Sequence, residues 1–540
     1  MGSFSVGNGP DGQLHPDDAP HPYDAHDPDD ARHPDDAPHL YDAHDPDDAP
    51  HPYDAPHPYD VDVLIVGGGI AGLATAHFLS LIRPELRVEV IESSAAVGGK
   101  ISGATVAGIG VDTGPDAFLA RVPGAVELAE SLGFGDDLVA PATGSAYVYS
   151  RGALRALPKG LVLGVPSDLG EMRRSGIISA RGIVRAALGN VLPHRATTGD
   201  DPSVSEAIGR HLGREVVERL VDPLLGGINA SDCDSLSLSS ASPMLAAAAR
   251  EPRLVRALRH ANAAADRGQT GVTETRPVFL APRTGIRALI ARLGTQANVS
   301  VGETVTSITR TGSGWSVTTS NRTGADRPNA HRPGADRHIS VRQVSARHVV
   351  MATPASSAAR LLNAVAPQTA RDLETIRTAS VALTLLAYPA GSVSLPPGSG
   401  MLVPRPEHRL VTASSWWNQK WPHLETNGHV LLRASAGRDG DTRFSELNDD
   451  ELVAALHREL TEMLGITAPP VDAVVTRWMG GFPQYDTGHS ALVGRIEKRL
   501  ATEAPGVTLV GASYRGIGIP ACIRDAERAA GQVNEALGSG

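Results

Sequence analysis

The chain lacks three features that would assign it at once to a class of protein. It contains only two cysteines, Cys233 and Cys522, among 540 residues, which excludes a disulfide framework and a cysteine metal site. No stretch of 18 residues is apolar throughout, so no membrane-spanning helix is expected, although contact with a membrane surface stays open. The first residues, MGSFSVGNGPDGQLHPDD, have neither the basic nor the apolar part of a secretory signal. The sequence therefore predicts a reduced, cytoplasmic protein and leaves its oligomeric state open.

The acidity of the chain belongs to its first 60 residues. They hold fifteen aspartates, no glutamate and one arginine, whereas the whole chain has a net charge of −11. The remainder is close to neutral and has no basic excess of the kind that nucleic-acid binding uses. Prolines recur every few residues in the repeats HPDDAP and HPYDA, which predicts that residues 1–60 are disordered. Eight of the chain's twenty histidines lie here, so the repeat either binds divalent metals weakly or is an expansion without a specific task.

A glycine-rich turn joins a predicted strand to a predicted helix at Gly67. The apolar run VDVLIV is typical of a buried parallel strand, and G-x-G-x-x-G follows it before an apolar helix, LATAHFLSL. A second strand, RVEVIE, ends at Glu92. In this arrangement the glycines permit a tight turn and let a pyrophosphate approach the backbone, and the acid accepts hydrogen bonds from a ribose. The segment therefore predicts dinucleotide binding by Gly67, Gly68, Gly69, Ile70, Ala71, Gly72 and Glu92.

Longer stretches carry a resemblance to a known family. GGK (Gly98–Lys100) follows the acid, and further motifs come in the order GVDTGPDAFLAR, LVDPLLGGINASDCDSLSL, SSWWNQKWPHL, RWMGGFPQYDTGH and GASYRGIGIPACI. Together they resemble the FAD-dependent porphyrinogen oxidases of heme biosynthesis. The resemblance is greatest to the Gram-positive-type coproporphyrinogen III oxidases and extends to their protoporphyrinogen oxidase relatives. It covers the chain from about Asp62 to Leu537.

The resemblance implies an α/β protein, α+β overall, built from three parts. A Rossmann-like FAD-binding domain of the amine oxidase and porphyrinogen oxidase type would comprise residues 61–112, 272–350 and 478–540. Residues 113–135, 225–271 and 351–477 would form a substrate-binding domain, and residues 136–224 a helical domain. The low-complexity insert 321–338 is basic and is interpreted as an overgrown loop between two strands of the FAD-binding domain.

The resemblance also implies further contacts with FAD. Lys100 would face the phosphates or the ribityl chain, and the backbone of Val305 would meet the adenine. A backbone turn at Gly114 and Pro115 can approach the isoalloxazine without an intervening side chain. Trp478 is either a packing partner in the core or a wall beside the flavin. The further contacts predicted are Lys100, Gly114, Pro115, Asp116, Ala117, Val305, Trp478, Ile517, Gly518, Ile519 and Pro520.

A second glycine turn lies near the end of the chain, in LVGASYRGIGIPACIRDAERAA. We interpret it as part of the same flavin site, in which a helix N-terminus faces N1 and the C2 carbonyl, where negative charge accumulates on reduction. Pro520 suits the first helical turn because its missing N–H is not needed there. Cys522 is expected to pack as a small apolar residue. The residues expected on the solvated face of the helix are Arg524, Asp525, Glu527 and Arg528.

Substrate contacts are predicted at Arg121, as the candidate for a substrate carboxylate, and at Asn229. No catalytic side chain and no metal site are assigned. The resemblance implies instead that hydrides pass from the porphyrinogen to N5 of the flavin, while O₂ takes up the electrons and leaves as hydrogen peroxide. His489, Asp116 and Lys420 are expected to hold the structure through hydrogen bonds rather than to act as bases. For Asp116 and Lys420 the alternative is that either residue orients the site.

The function implied is the six-electron oxidation of coproporphyrinogen III to coproporphyrin III. The motifs LPKGLVLGVPSDL and NQKWPHL most resemble those of the Gram-positive-type coproporphyrinogen III oxidases. Oxidation of protoporphyrinogen IX to protoporphyrin IX is the alternative. Two further hypotheses are an amine oxidase or carotenoid desaturase of the same FAD fold, and a non-catalytic flavoprotein whose tail collects metal.

Overall fold

The strand Val61–Val66 lies inside a seven-stranded sheet and is buried along its whole length. Its neighbours Val88–Glu92 and His338–Met351 run parallel to it, as expected of a strand whose two faces are both covered. The strand order is Val299–Val301, Val88–Glu92, Val61–Val66, His338–Met351, Gly314–Thr323 and Glu303–Thr311, and Val507–Leu509 also pairs with His338–Met351. The sheet therefore unites strands from three separated parts of the chain.

The computed structural model describes residues 59–122, 124–191, 201–260, 277–323 and 338–538. The tail that the sequence predicts to be disordered, residues 1–60, lies outside the described residues except for Tyr59 and Asp60. Residues 324–337 of the insert also lie outside them. The strands predicted on either side of the insert are confirmed, because Gly314–Thr323 and His338–Met351 pair antiparallel as far as Thr323 and His338.

Hydrophobic cores fill both faces of this sheet, since alternate residues of a strand point to opposite sides. Val63 and Ile65 belong to one core, and Leu64 and Val66 to the other. The first core is covered by the helices Ile70–Ile82, Ala125–Ser131, Arg287–Gln296 and Ile519–Gly538. The second is covered by Ala355–Leu362, Pro367–Glu374 and His489–Glu503. The strand, turn, helix and strand predicted from Val61 to Glu92 are thus confirmed.

A second sheet of seven strands is mainly antiparallel. Its order is Asp472–Pro483, Thr378–Pro389, His429–Ala436, Val411–Trp416, Gly400–Leu402, Tyr147–Ser150 and Ala153–Ala156. The amphipathic helix Asp449–Leu464 covers one face with Leu452, Leu456 and Leu460, and Asn448 and Glu451 form a capping box at its start. The last two strands come from residues 136–224, the segment that the resemblance assigns to the helical domain.

The described segments 169–191 and 201–260 are mainly helical and enclose a third core. Their helices are Leu169–Ser175, Ala180–Val191, Val204–Leu212, Arg214–Val216, Gly227–Asn229, Leu238–Ala241 and Pro243–Ala249, and residues 254–260 are also helical. The segment Val217–Gly226 is a π-helix with Pro223 inside it. Proline cannot donate the usual helical hydrogen bond, and a π-turn is one way for a helix to accommodate such a position.

The remaining elements are short. Gly103–Val106 and Ile109–Asp112 form a hairpin, and Phe279–Pro282 pairs with both Phe118–Leu119 and Leu138–Val139. Leu161–Val162 and Val165–Pro166 form a second small hairpin, and Trp417–Lys420 is a single helical turn. None of the helices within the described ranges is long and apolar enough to cross a bilayer. The domain boundaries given by the resemblance stay a prediction.

Candidate cofactor and substrate site

The first glycine turn packs its backbone directly against the sheet. A side chain at Gly67, where φ is +112°, would lie 2.6 Å from the carbonyl oxygen of Ala352, and one at Gly72 would lie 2.0 Å from the oxygen of Gly67. At Gly69, by contrast, a side chain would meet no atom within 4 Å. Gly69 is also the N-cap of the helix Ile70–Ile82 and provides no side-chain cap. The helix therefore begins without a side-chain cap and with room at Gly69, as a phosphate site requires.

Glu92 orders the turn through its carboxylate, which is buried at the end of the neighbouring strand. Oε2 accepts a hydrogen bond of 2.7 Å from the Gly68 N–H, and Oε1 accepts one of 2.8 Å from the Ser94 N–H. The Ser93 hydroxyl also donates to Oε1, at 3.3 Å. A carboxylate has about four acceptor positions, so Oε2 keeps capacity for another donor. Glu92 is thereby placed next to the turn, as predicted, and can still receive the hydroxyl groups of a ribose.

A third segment, Gly98–Lys100, docks on the same turn. The N–H of Gly98 donates to the oxygen of Gly68 at 2.8 Å, and Gly69 and Gly98 form an isolated parallel bridge. Both Gly98 and Gly99 have positive φ, +118° and +58°, which only glycine adopts without strain. This geometry brings Lys100, which follows directly, to the phosphate end of the helix.

Lys100 is half-buried and makes no hydrogen bond or ion pair within the part of the chain that the structure describes. Burial lowers the pKa of its amine, because the charged form is less well solvated there. Burial also raises the pKa of the Cys522 thiol to about 12, and the two groups lie close enough for their charges to interact. Cys522 lies in the first part of the helix that follows the second glycine turn, so Lys100 lies on the side of the first turn that faces this helix.

Gly114 continues this group of residues toward the second sheet. A side chain at Gly114 would lie 2.1 Å from the backbone oxygen of Lys100 and 3.3 Å from the Trp478 ring. A side chain at Gly481 would lie 2.7 Å from Cβ of Trp478 and 3.1 Å from Cε of Lys100. Trp478 itself is half-buried, with its ring 5.7 Å from that of Phe482. The predicted residues Lys100, Gly114 and Trp478 are therefore in mutual proximity.

Asp116 anchors the loop that follows Gly114. Its carboxylate is buried and accepts hydrogen bonds from Lys420 Nζ at 2.7 Å, from Trp421 Nε1 at 3.3 Å and from Arg433 Nη2 at 3.3 Å. Burial alone would raise the pKa of Asp116, but the charges of Arg433 and Lys420 outweigh it and hold that pKa well below its usual range. The structural role expected of Asp116 and Lys420 is confirmed, whereas a contact of Asp116 with FAD stays a prediction.

The second glycine turn leads into the helix Ile519–Gly538, with Pro520 as its second residue. Gly516 has a φ of +126°, and the N–H of Cys522 donates to the oxygen of Gly518 at 3.0 Å. Ile519 and Pro520 are buried, whereas Gly518 is exposed. The helix start predicted at Pro520 and the packing of Cys522 in the core are confirmed.

Val305 lies in the strand Glu303–Thr311, beside the end of the strand that carries Glu92. Val301 pairs with Glu92, and the N–H of Gly302 donates to the oxygen of Ser94 at 2.8 Å. Val305 follows three residues later and is buried. It is therefore on the ribose side of the glycine turn, and its contact with the adenine stays a prediction.

Among the described residues, neither of the two predicted substrate residues makes a hydrogen bond to the cofactor residues named above. Arg121 is exposed and makes no hydrogen bond or ion pair to any other described residue. It precedes Gly124 by three positions, and a side chain at Gly124 would lie 3.1 Å from Cγ of Arg524 and 3.7 Å from the oxygen of Pro520. Asn229 donates through its Nδ2 to the oxygen of Leu225, in the preceding π-helix, at 2.8 Å. No hydrogen bond joins the described parts of Arg121 and Asn229.

One expectation about the last helix is wrong. Arg524 and Glu527 are exposed as predicted, but Asp525 is buried. It accepts hydrogen bonds from the Gly511 N–H at 2.9 Å and from Arg528 Nε at 2.8 Å. Position 525 lies three residues after Cys522, on the apolar side of the helix. The carboxylate of Asp525 therefore binds the backbone of the loop before the helix and does not face solvent.

Two residues that the sequence did not identify, Arg433 and Tyr485, hold the predicted flavin-binding loops in place. Arg433 donates to the oxygen of Gly114 as well as to Asp116, and its guanidinium lies 5.7 Å from the centre of the Trp417 ring. The sequence indicates this role of Arg433 only by placing an arginine in the mainly apolar strand HVLLRASA. Tyr485, in the motif RWMGGFPQYDTGH, holds the second glycine turn through its hydroxyl group. His489 binds a backbone oxygen, as its structural interpretation predicted.

These residues fit an anionic dinucleotide. The turn at Gly69 leaves room at an uncapped helix N-terminus, and the amine of Lys100 has no partner in the described ranges. The hydroxyl group of Thr353 is a further buried polar atom without a described partner. It lies next to Gly67, where a side chain would approach its methyl group to 3.5 Å. We therefore regard the Gly67–Gly72 turn, Glu92 and Lys100 as the residues that would hold FAD.

A parallel sheet with a glycine turn at its first strand and an acid at its second defines a dinucleotide-binding α/β protein. A family model described as flavin containing amine oxidoreductase matches residues 70–534, and the chain belongs to this family. The α/β fold, the flavin cofactor FAD and the class of oxidoreductase predicted from the sequence are thereby confirmed.

Three known proteins are similar to the chain over most of its length. A coproporphyrinogen III oxidase of Bacillus subtilis (strain 168) is 34% identical, over 88% of this chain and 97% of the relative. One of Mycobacterium bovis is 31% identical over the same shares. A crystal structure from Exiguobacterium sp. 255-15, provisionally assigned as a protoporphyrinogen oxidase, is 26% identical with a TM-score of 0.75, over 89% of this chain and 99% of the other. The resemblance drawn from the motifs is thereby confirmed.

Proposed function

We propose that the protein is an FAD-dependent coproporphyrinogen III oxidase of heme biosynthesis. The observation that carries the proposal is the identity of 34% with the Bacillus subtilis enzyme over 97% of that relative. The reaction would convert coproporphyrinogen III and three O₂ into coproporphyrin III and three hydrogen peroxide, so that six electrons and six hydrogens leave the macrocycle. FAD, when bound, supplies the two-electron redox chemistry by taking hydride from the substrate and reducing O₂.

The side chains of the protein would bind and orient rather than react. Lys100 and the N–H groups at Gly69 would hold the anionic part of the cofactor. The loop Gly114–Ala117, which Arg433 and Lys420 fix from the second sheet, would offer its backbone to the flavin ring. Arg121 is an exposed cation without a hydrogen-bond or ion-pair partner among the described residues, and this supports its proposed role in binding a carboxylate of the substrate.

Protoporphyrinogen IX is the second candidate substrate, favoured by the likeness to the Exiguobacterium structure. An amine oxidase is less well supported, because it would need two aromatic rings facing the flavin. Tyr514, the aromatic residue of the C-terminal motif, is 3% exposed and has its ring in the core. We further propose that the enzyme acts in the cytoplasm, since both cysteines are buried as free thiols, as is usual in a reducing compartment.

The proposal is tested with the purified full-length protein. A flavin absorption spectrum is expected, and coproporphyrinogen III under air should give porphyrin fluorescence together with about three hydrogen peroxide per porphyrin. Protoporphyrinogen IX is assayed separately. Absence of porphyrin and peroxide with both substrates would contradict the proposal, and faster turnover of protoporphyrinogen would contradict the choice of substrate alone. Deletion of residues 1–60 should leave turnover unchanged, whereas loss of turnover would assign a role to the repeat.

A further inference from the structure

Tyr485 and His489 form a stacked pair behind the second glycine turn. Their ring centres are 3.9 Å apart and their planes differ by 14°. Both residues are buried, at 5% and 4% exposure. Gly488, with a φ of +84°, allows the chain to turn between them, and His489 then begins the helix His489–Glu503. The two rings are therefore fixed against each other by the backbone on either side.

This pair holds the loop before the last helix through three backbone groups, and Asp525 holds a fourth. The Tyr485 hydroxyl donates to the oxygen of Ala512 at 2.8 Å and accepts from the N–H of Gly516 at 2.6 Å. His489 Nε2 lies 3.2 Å from the oxygen of Tyr514, a contact in which the imidazole N–H donates. At the start of the loop, Asp525 accepts from the N–H of Gly511 at 2.9 Å. Every second residue from 512 to 516 is thus tied to one of the two rings.

The loop in turn sets the direction of the helix that follows. Gly516 precedes Ile519, the first helical residue, by three positions. The Cys522 thiol, one turn into the helix, lies 3.6 Å from the oxygen of Gly516. A movement of Gly516 would therefore move the first turn of the helix, where the partial positive charge of the helix dipole resides.

We propose that Tyr485, supported by His489, is a positioning residue that aims the N-terminus of the helix Ile519–Gly538 at the flavin ring and so favours the reduced, more negative cofactor. The inference rests on the proposed function, since it requires FAD in this site. Neither residue touches the reacting atoms. The effect of Tyr485 is carried by the Gly516 N–H and the Ala512 oxygen, which its hydroxyl bridges, and that of His489 by the Tyr514 oxygen.

The test variant is Y485F, which keeps the stacked ring and removes the hydroxyl. The ratio of affinities for reduced and oxidised FAD should fall about tenfold, equivalent to a midpoint potential about 30 mV more negative for a two-electron couple. Redox titration of the bound flavin in the absence of substrate measures this shift. If the hydroxyl had only a structural role, its removal would lower the melting temperature but leave the flavin potential unchanged.

The matched control is Y388F. Tyr388 is also fully buried, and its hydroxyl lies 3.2 Å from Nδ1 of His457, within the core of the second sheet. Y388F should lower stability without shifting the flavin potential. A second variant, H489F, keeps a flat ring but cannot donate to Tyr514, and it should shift the potential in the same direction by a smaller factor. This variant carries the test if Y485F does not fold.

The outcomes separate the two proposals. A flavin-containing wild type whose potential is the same in Y485F and H489F would contradict the positioning role and leave the proposed function intact. A potential that shifts equally in Y388F would also contradict it, because the effect would then come from general loosening. Wild-type protein that binds no FAD would contradict both proposals.

Discussion

Lys420 donates a hydrogen bond of 2.7 Å to Asp116 across 304 positions of sequence. Arg433 reaches the other oxygen of the same carboxylate, so one buried anion faces two cations. These contacts join the loop after Gly114 to Arg433 in the second sheet and to Lys420 in the helical turn Trp417–Lys420. Because Arg433 also donates to the oxygen of Gly114, this cluster fixes the backbone that is predicted to face the flavin.

The first prediction concerns this cluster. D116N removes the anion and leaves two largely buried cations without a carboxylate, so the free energy of unfolding should fall by about 3–5 kcal/mol. Urea unfolding measures the change. D372N is the control, since Asp372 pairs with Arg499 at the surface and such pairs contribute about 0–1 kcal/mol. If the free energy of unfolding fell equally in the two variants, the cluster would contribute no more to stability than a surface ion pair.

The second prediction concerns Lys100. Replacement by methionine in K100M removes a half-buried charge that has no described protein partner, so the stability of the FAD-free chain should not decrease. Affinity for FAD should decrease by roughly tenfold or more, because a hydrogen bond to a charged group contributes about 1.5–3 kcal/mol. Fluorescence titration of the FAD-free protein measures the affinity, and K498M at an exposed helix position is the control. Unchanged affinity in K100M would remove Lys100 from the proposed site.

A pair of glycine variants tests the packing around Trp478. In G481A the new methyl group would lie 2.7 Å from Cβ of Trp478 and 3.1 Å from Cε of Lys100, so both side chains must move. FAD affinity and stability should both decrease. G494A places its methyl group in open space on the helix His489–Glu503 and should stabilise the protein by about 0.5–1 kcal/mol. If G481A bound FAD as tightly as the wild type, the close packing of Gly481 against Lys100 and Trp478 would have no part in binding.

The fourth prediction is a pH dependence of stability that originates at His348. This residue is buried in the central sheet, 2.9 Å from the Thr508 hydroxyl, and burial lowers its pKa from 6.5 to about 4. The unfolded chain therefore takes up a proton near pH 6.5, whereas the folded chain does so only near pH 4. The stability that His348 contributes is complete above pH 6.5 and is lost as the pH falls toward 4, by about 1.4 kcal/mol per pH unit.

Unfolding by urea at several values between pH 4 and pH 7.5 tests this expectation. H348Q removes the titrating group, so its stability should depend less steeply on pH in this interval. H260Q, at an exposed position, serves as the comparison and should retain the slope of the wild type. A slope in H348Q equal to that of the wild type would assign the pH dependence to other groups.

Part of the site could be predicted because it depends on short segments of sequence. Glycines at 67, 69 and 72 stand between an apolar strand and an apolar helix, which together are typical of a dinucleotide-binding turn. Glu92 ends the adjacent strand, whose carboxyl end lies at the same edge of the sheet. Pro520 marks the start of the last helix for an equally local reason, since its missing N–H is tolerated only in the first turn. The structure has these elements at the predicted positions.

Other parts could not be predicted because their partners are distant in sequence. Asp525 was expected in solvent on the basis of its charge, but the Gly511 N–H and Arg528 satisfy that charge inside the protein. Arg433 appears in its strand as an isolated cation, and only the pairing of sheet and loop shows that it binds Asp116. The strands Tyr147–Ser150 and Ala153–Ala156 lie in a largely helical segment of the chain but join the second sheet.

The sequence alone determined the nucleotide turn, the family resemblance and the start of the final helix, because backbone geometry in a tight turn restricts which residues can occupy each position. Only the tertiary structure decided which side chains support these turns. Tyr485 is one aromatic residue among several until its hydroxyl is seen between Ala512 and Gly516. Such contacts depend on how two sheets and their connecting loops pack together, and that arrangement is set by the burial of the whole core rather than by any local pattern.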